Sequence, residues 1–343
     1  MMVARTQLPR LADVRSRALG LAFGLAAATL PHQAASAADS VTLQLNWLPS
    51  GQKVAPYAGR EAGFFEERGI DLEIVRGFGS SDTLTKVASG AADFGYVDLA
   101  TLMTAGDDVI GEVKAIMSLY SKSPHAIITT AETGIESLGD LAGRSVATSP
   151  FSSSNLFMPT VLAEVGVDMD DVTIEEVEAV ALTPLLIQGR VDASVLWSPD
   201  VAFVAPLAQE AGTEAIVLPF TESGFNMYGL AVIAATSTIE ENPDLVARFV
   251  EALHGSHAIA RDDPAGAAEA LVAAEPQLEP SSMAEEARLT NTLMFNEISQ
   301  RDGFGAFSTT LFDETYEWLE KAGLVDQRRP MDDFIDASFV PGS

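Results

Sequence analysis

The sequence predicts an α/β protein with two parallel sheets, helices on their faces and a cleft between them. Three observations carry this expectation. Strand-like and helix-like segments alternate from Val41 to Ala234, a mostly helical tail follows from Asn242, and 343 residues are more than one core usually fills. Such sheets bind ligands outside the carboxyl ends of their strands, so the loops after strands are where function is sought.

The first segment reads as an address. Arg5, Arg10, Arg15 and Arg17 precede a small-apolar run from Ala18 to Leu30, and Ala35-Ser36-Ala37 stands before Ala38-Asp39. That order is a secretory signal peptide over residues 1–37. Its apolar part, 13 residues, is short of the roughly 20 that span a bilayer, and no later stretch is longer. The mature chain is therefore expected to be exported and not membrane-embedded.

After the leader, Val41 to Leu45 reads as a buried strand, Ala58 to Arg68 as a helix stopped by Gly69, and Asp71 to Val75 as a second strand. Gly77-Phe78-Gly79-Ser80-Ser81-Asp82 leads into a helix from Thr83 to Ser89, with Ser80 or Asp82 as its cap and Gly90 past its end. Strands at Asp93–Val97 and Val113–Leu119 enclose a short helix, Leu99–Thr104. A second series follows: strands at Ala126–Thr130, Ser145–Ala147, Val172–Val177, Ala193–Leu196, Ala215–Leu218 and Leu230–Ala234. Ser152-Ser153-Ser154-Asn155 offers caps for a helix to Glu164, and further helices cover Thr183–Gln188 and Ser198–Glu210. The tail reads as helices at Pro243–Arg261, Pro264–Ala274, Met283–Glu297 and Thr309–Ala322.

Composition narrows the chemistry. With 49 acidic and 20 basic residues the net charge is -29; removing residues 1–37 takes away four arginines and one aspartate, a net +3, and leaves -32. A field of that sign repels phosphate backbones and anionic lipid, so nucleic-acid binding is not expected. The absence of cysteine excludes disulfides, thiol catalysis and cysteine-ligated metals. The loop at Gly77 fails the dinucleotide pattern because Asp82 replaces the third glycine. His32, His125, His254 and His257 make no zinc spacing, and Asp168, Asp170 and Asp171 lack the glycine of a calcium loop. Glu175, Glu176 and Glu178 read as an exposed strand edge. Ser152 to Ser154 have no base in reach of sequence reasoning, and helix capping is the default for them. No catalytic residue, metal or cofactor is expected.

What stands out is aromatic and amide residues beside strands: Asn46-Trp47 after the first, Trp197 after Ala193–Leu196, and Phe225-Asn226-Met227-Tyr228 before Leu230. Each alone reads equally as core. Together, apolar walls with a few convergent polar groups describe a small-molecule site.

At these residues the chain resembles bacterial periplasmic solute-binding proteins of the nitrate, sulfonate and taurine class, the SsuA/THI5-like or NMT1-like group. The matching segments are Leu45-Asn46-Trp47-Leu48-Pro49, Ala62-Gly63-Phe64-Phe65 with Gly69-Ile70-Asp71-Leu72-Glu73, Val87 to Gly95, Asp140-Leu141-Ala142-Gly143, and Val191-Asp192-Ala193 leading to Trp197-Ser198-Pro199. The resemblance implies the two-lobed periplasmic-binding-protein fold of type II, with lobe 1 at residues 38–122 plus 228–343, lobe 2 at residues 123–227, and the ligand cleft between them. It implies a monomer that delivers one small molecule to an ABC transporter permease. Stacking on Trp47 or Trp197, and hydrogen bonds from Asn46, Ser80, Ser81 and the helix entry at Ser152 to Ser154, with Ser152 and Ser153 foremost, would hold the ligand.

Two ligand classes stay open. Asn46-Trp47 resembles the thiamine-pyrimidine branch, with Lys53 where that branch commonly has histidine. Ser149-Pro150-Phe151-Ser152 and the turn at Trp197 resemble the taurine and sulfonate branch, in which helix N-termini would hold an anion and Asp98 would receive an ammonium group. Other roles on the same fold are an exported sensor and an enzyme resembling the fungal pyrimidine synthases; the latter carry a cofactor lysine where this chain has Val97-Asp98.

Overall fold

The structure, a computed structural model, describes residues 38–342, and the leader expected over residues 1–37 lies outside them. Among the described residues, ten strands form two five-stranded sheets. In the first, β1 (Asp39–Gln44), β2 (Ile70–Val75), β3 (Phe94–Asp98), β4 (Val113–Ser118) and β10 (Leu230–Ala235) run in the order β2-β1-β3-β10-β4. In the second, β5 (His125–Thr130), β6 (Ser145–Thr148), β7 (Thr173–Glu176), β8 (Ala193–Trp197) and β9 (Ala215–Pro219) run in the order β7-β6-β8-β5-β9.

Both sheets are mixed, which corrects the expectation of parallel ones. β10 runs antiparallel to β3 and β4, and β5 antiparallel to β8 and β9. The reason lies in two crossings: the chain leaves the first sheet after β4 for β5 and returns from β9 to β10, so each arriving strand enters against its neighbours. No alternation of apolar and polar residues encodes that direction.

The remaining strand pairs, β1 with β2 and β3, and β6 with β7 and β8, are parallel. β7 lies at an edge with Glu175 and Glu176 exposed, as the acidic run predicted. The first long helix departs from expectation: it spans Val54–Glu61, breaks at Gly63 (φ 82°) and resumes as a single turn at Glu66–Arg68 before left-handed Gly69. The break turns buried Phe65 onto Phe249, ring centroids 5.9 Å apart.

Helices of the C-terminal tail pack on the first sheet, where Phe94 of β3 stacks on Phe249 with centroids 3.8 Å apart. One of them, Pro280–Met294, also lies against the Val201–Glu210 helix that follows β8. The tail thereby touches both halves of the molecule. No helix among the described residues is long and apolar enough to cross a membrane.

Candidate functional site

The loop after β1 is fixed before any ligand is considered. Leu45 C=O accepts from Thr83 Oγ1 at 2.9 Å, Trp47 C=O accepts from Gly77 N–H at 2.9 Å, and Gln44 Nε2 donates to Arg76 C=O at 2.6 Å. A Cβ on Gly77 would fall 2.0 Å from Leu45 O, so glycine is what lets the two loops touch. Asn46 is thereby buried with Oδ1 lacking any hydrogen-bond partner among the described residues.

Across from it stands the end of β8. His125 and Tyr120 pack edge-on against Trp197, each at 5.9 Å between centroids. Trp197 N–H donates to Asp200 Oδ2 at 2.8 Å, which folds the chain into the turn Ser198–Asp200. Gly79, at φ 138° and ψ 161°, completes the approach of the two halves: a Cβ there would fall 2.2 Å from Phe151 O. Only glycine adopts that conformation without strain.

These pieces enclose a cavity of about 30 Å³, so the halves must part to admit a ligand of several rings. Asn46, Trp47, Lys53, Ser80, Phe151, Ser152, Ser153 and Trp197 line it. So do Ser50, Gln52, Gly79 and Asp200, which sequence reasoning missed. Phe151 forms the rim, 54% exposed.

Lys53 is the unusual residue. It is 1% exposed, its Nζ has no hydrogen-bond partner among the described residues, and the rings of Trp197, Tyr120 and Tyr96 lie 5.0, 5.6 and 5.9 Å from that nitrogen. Burial lowers its pKa to about 7, against the attraction of Glu286 and Asp200. The faces of three aromatic rings partly replace the lost hydration. A ligand atom that accepts a hydrogen bond is what the nitrogen lacks.

Three expected site residues lie elsewhere. Asp98 is wholly buried, caps the Leu99–Met103 helix by accepting from Ala100 N–H at 3.1 Å, and sits 3.0 Å from His125 Nε2 in a contact that is not an aligned hydrogen bond. It faces the junction between the sheets, not the pocket. Ser81 is exposed on the Ser80–Ala88 helix. Tyr228 is bonded through its hydroxyl to Ser308 and by its N–H to Thr315 Oγ1, so it ties β10 to the tail. Phe225 is core as well, packed on Trp318 and Phe157.

The capping expectations also fail. Neither Ser80 nor Asp82 caps a helix: Ser80 Oγ accepts from Asp98 N–H at 3.0 Å, and Asp82 pairs with Lys86 Nζ at 2.7 Å. At the second serine cluster, Ser152 makes no capping bond and Ser154 Oγ lies 2.7 Å from His125 Nδ1. Asp98, His125 and Ser154 therefore line up as an acid, an imidazole and a hydroxyl. All three are sealed from solvent, at 0% exposure, so no substrate carbonyl can reach that hydroxyl as the chain is folded.

Among the described residues, no group of three or more histidine, aspartate or glutamate side chains is placed to hold a metal. What the arrangement offers is two tryptophans from opposite halves, an unpartnered amine and amide, and an acid. That is equipment for holding a flat or anionic molecule.

A family model described as NMT1/THI5 like matches residues 52–267. The riboflavin-binding protein RibY of Chloroflexus aurantiacus is 26% identical over 316 residues, spanning 89% of this chain and 87% of its own. The formylaminopyrimidine-binding protein of Halalkalibacterium halodurans is 22% identical over 293 residues, 85% and 88% of the two chains. Among solved structures, the alkanesulfonate-binding protein SsuA from Xanthomonas axonopodis pv. citri, bound to MOPS, superposes with a TM-score of 0.66 at 15% identity, covering 89% of this chain and 99% of that one. At that identity the likeness establishes the fold.

Proposed function

The chain belongs to the NMT1/THI5-like family, and on that premise we propose that it is an exported solute-binding protein whose two halves close on one small molecule and present it to an ABC permease. The halves in this reading are residues 38–122 plus 228–343 and residues 123–227. The observation that carries it is the enclosed space between Trp47 of one half and Trp197 of the other, with Lys53 Nζ and Asn46 Oδ1 unpartnered at its wall. Both relatives above are named for the small molecules they bind, which supports a carrier over an enzyme.

An aromatic nitrogen heterocycle fits these groups best. Its faces would stack on tryptophan, a ring nitrogen or carbonyl would accept from Lys53, and a ring N–H or amino group would donate to Asn46. An organosulfonate is the second reading, favoured by Ser80, Ser152 and Ser153 lining the same space as Lys53.

Tryptophan fluorescence titration with riboflavin, formylaminopyrimidine and a set of alkanesulfonates tests the proposal, with mass spectrometry of the recovered ligand. One of them should bind, return chemically unchanged, and perturb Trp47 and Trp197. Trp318, packed on Phe225 away from the pocket, should stay silent, so Trp318→Phe should keep the signal. Multiple turnover of the ligand, or a signal that disappears with Trp318→Phe alone, overturns the proposal.

A further inference from the structure

One buried contact between the halves is not used by the ligand pocket alone. Asp200 belongs to the turn after β8, and Glu286 to the Pro280–Met294 helix of the tail. Gln52 Nε2 donates to both, at 2.5 Å to Asp200 Oδ1 and 3.0 Å to Glu286 Oε1. Each acid has one further donor, Trp197 N–H at 2.8 Å for Asp200 and Gly51 N–H at 2.8 Å for Glu286. Asp200 is 6% exposed and Glu286 0%.

Two carboxyl groups crowded on one amide nitrogen and out of water do not both ionise, because each charge disfavours the other and neither is hydrated. Burial pushes both above the ordinary carboxylate range, and the charge of Asp200 pushes Glu286 further. The nearby cation is Lys53, whose nitrogen bonds to neither acid; charged below about pH 7, it offsets one carboxylate and leaves the second to take up a proton. The other titratable groups facing the cluster add no positive charge. Burial keeps the Tyr120 phenol protonated, and it holds His257 of the Pro243–Asp262 helix neutral, at about 3. Glu210 and Glu279 border the outer groove as exposed acids.

We propose that Asp200 and Glu286 share one proton across the cleft and that this proton holds the two halves closed, so that closure strengthens in acid and loosens as the pH rises. Opening returns both carboxyl groups to water and to ordinary acidity, so closing takes up a proton. The closed-to-open ratio then falls by up to about tenfold per pH unit between the ordinary carboxylate range and neutrality. Above neutrality Lys53 acts with the opposite sign, since closing sheds its proton, and the fall flattens. The consequence for ligand release rests on the solute-binding reading, whereas the consequence for closure does not.

The chain has no cysteine, so Ser81→Cys and Glu178→Cys, on exposed positions of the two halves, accept spin labels specifically. Distances between the labels, measured by double electron–electron resonance on the ligand-free protein, should shift from a short to a long population between about pH 5.5 and about pH 7. Glu286→Gln should remove that response, and Asp200→Asn gives the same comparison if the first variant fails to fold by circular dichroism. Identical distance distributions across the range in the unsubstituted pair, or an undiminished response in a folded variant, overturn the proposal. A response to pH in a protein that binds none of the solutes would reject the carrier and leave the proton clasp standing.

Discussion

Lys53 shows how far one side chain can depart from what its type suggests. A lysine six residues past Trp47 reads from sequence as a surface charge or an anion holder. In the fold it is enclosed by Tyr96, Tyr120 and Trp197, with its pKa down at about 7. A base whose pKa is depressed on folding destabilises fully below its folded pKa, and the penalty fades as the pH climbs to the unfolded value, near 10.4. Lys53→Met should therefore stabilise the ligand-free protein by about 1–4 kcal/mol at pH 6, and the gain should shrink steadily towards about pH 10. Urea denaturation of both proteins at three pH values measures it. A gain that is flat with pH, or a loss, would show that the ammonium is paired or hydrated in the folded state. The same substitution should weaken a ligand that accepts from this nitrogen, so Lys53 trades stability for binding.

Among the elements, the Gly77 loop and the Ser80–Ala88 helix decide how closely the halves approach. The sequence made the glycines visible as a turn, and Asp82 excluded a dinucleotide. It did not reveal that Gly79 faces Phe151, because that neighbour is 72 residues away in the chain. Gly79→Ala puts a methyl group against a backbone oxygen and strains φ, at a cost of about 1–3 kcal/mol. Much of that cost should fall on the closed state, since only closure brings Phe151 near. The expected outcome is a Kd raised at least about tenfold with a smaller loss in Tm, by calorimetric titration and thermal melting. An unchanged Kd with a lowered Tm would mean that the Gly79–Phe151 contact persists when the cleft opens. The serine cluster at Ser152–Ser154 misled in the opposite way. Its spacing suits a cap, yet Ser154 is spent on His125, a partner that only the crossing from β4 to β5 delivers.

At the scale of the whole molecule the net charge of -29, or -32 without residues 1–37, sets how ligands arrive. On the proposed function local groups would hold the ligand, while the long-range field repels an anion and is screened over about 8 Å at physiological ionic strength. Stopped-flow association of a sulfonate should therefore quicken as salt is added, whereas a neutral heterocycle should be nearly indifferent. Equal salt dependence for both would mean that the cleft mouth is shielded from the field of the surface.

The sequence by itself determined the alternation of strands and helices, the positions of Asn46, Trp47 and Trp197 at strand ends, and the acidic balance, because each depends on neighbours in the chain. Tertiary structure decided the direction of β5 and β10, the burial of Lys53, and the exclusion of Asp98 and Tyr228 from the pocket. It also chose the acid that does line it. Asp200 stands one residue beyond the Trp197-Ser198-Pro199 motif, and nothing in the sequence singles it out. Its meeting with Gln52, 148 residues away, and through Gln52 with Glu286, a further 86 along, required two sheets to close on each other. Burial and charge pairing are sums over everything within a few ångströms, and a linear pattern records only the part of that sum contributed by the chain's own neighbours.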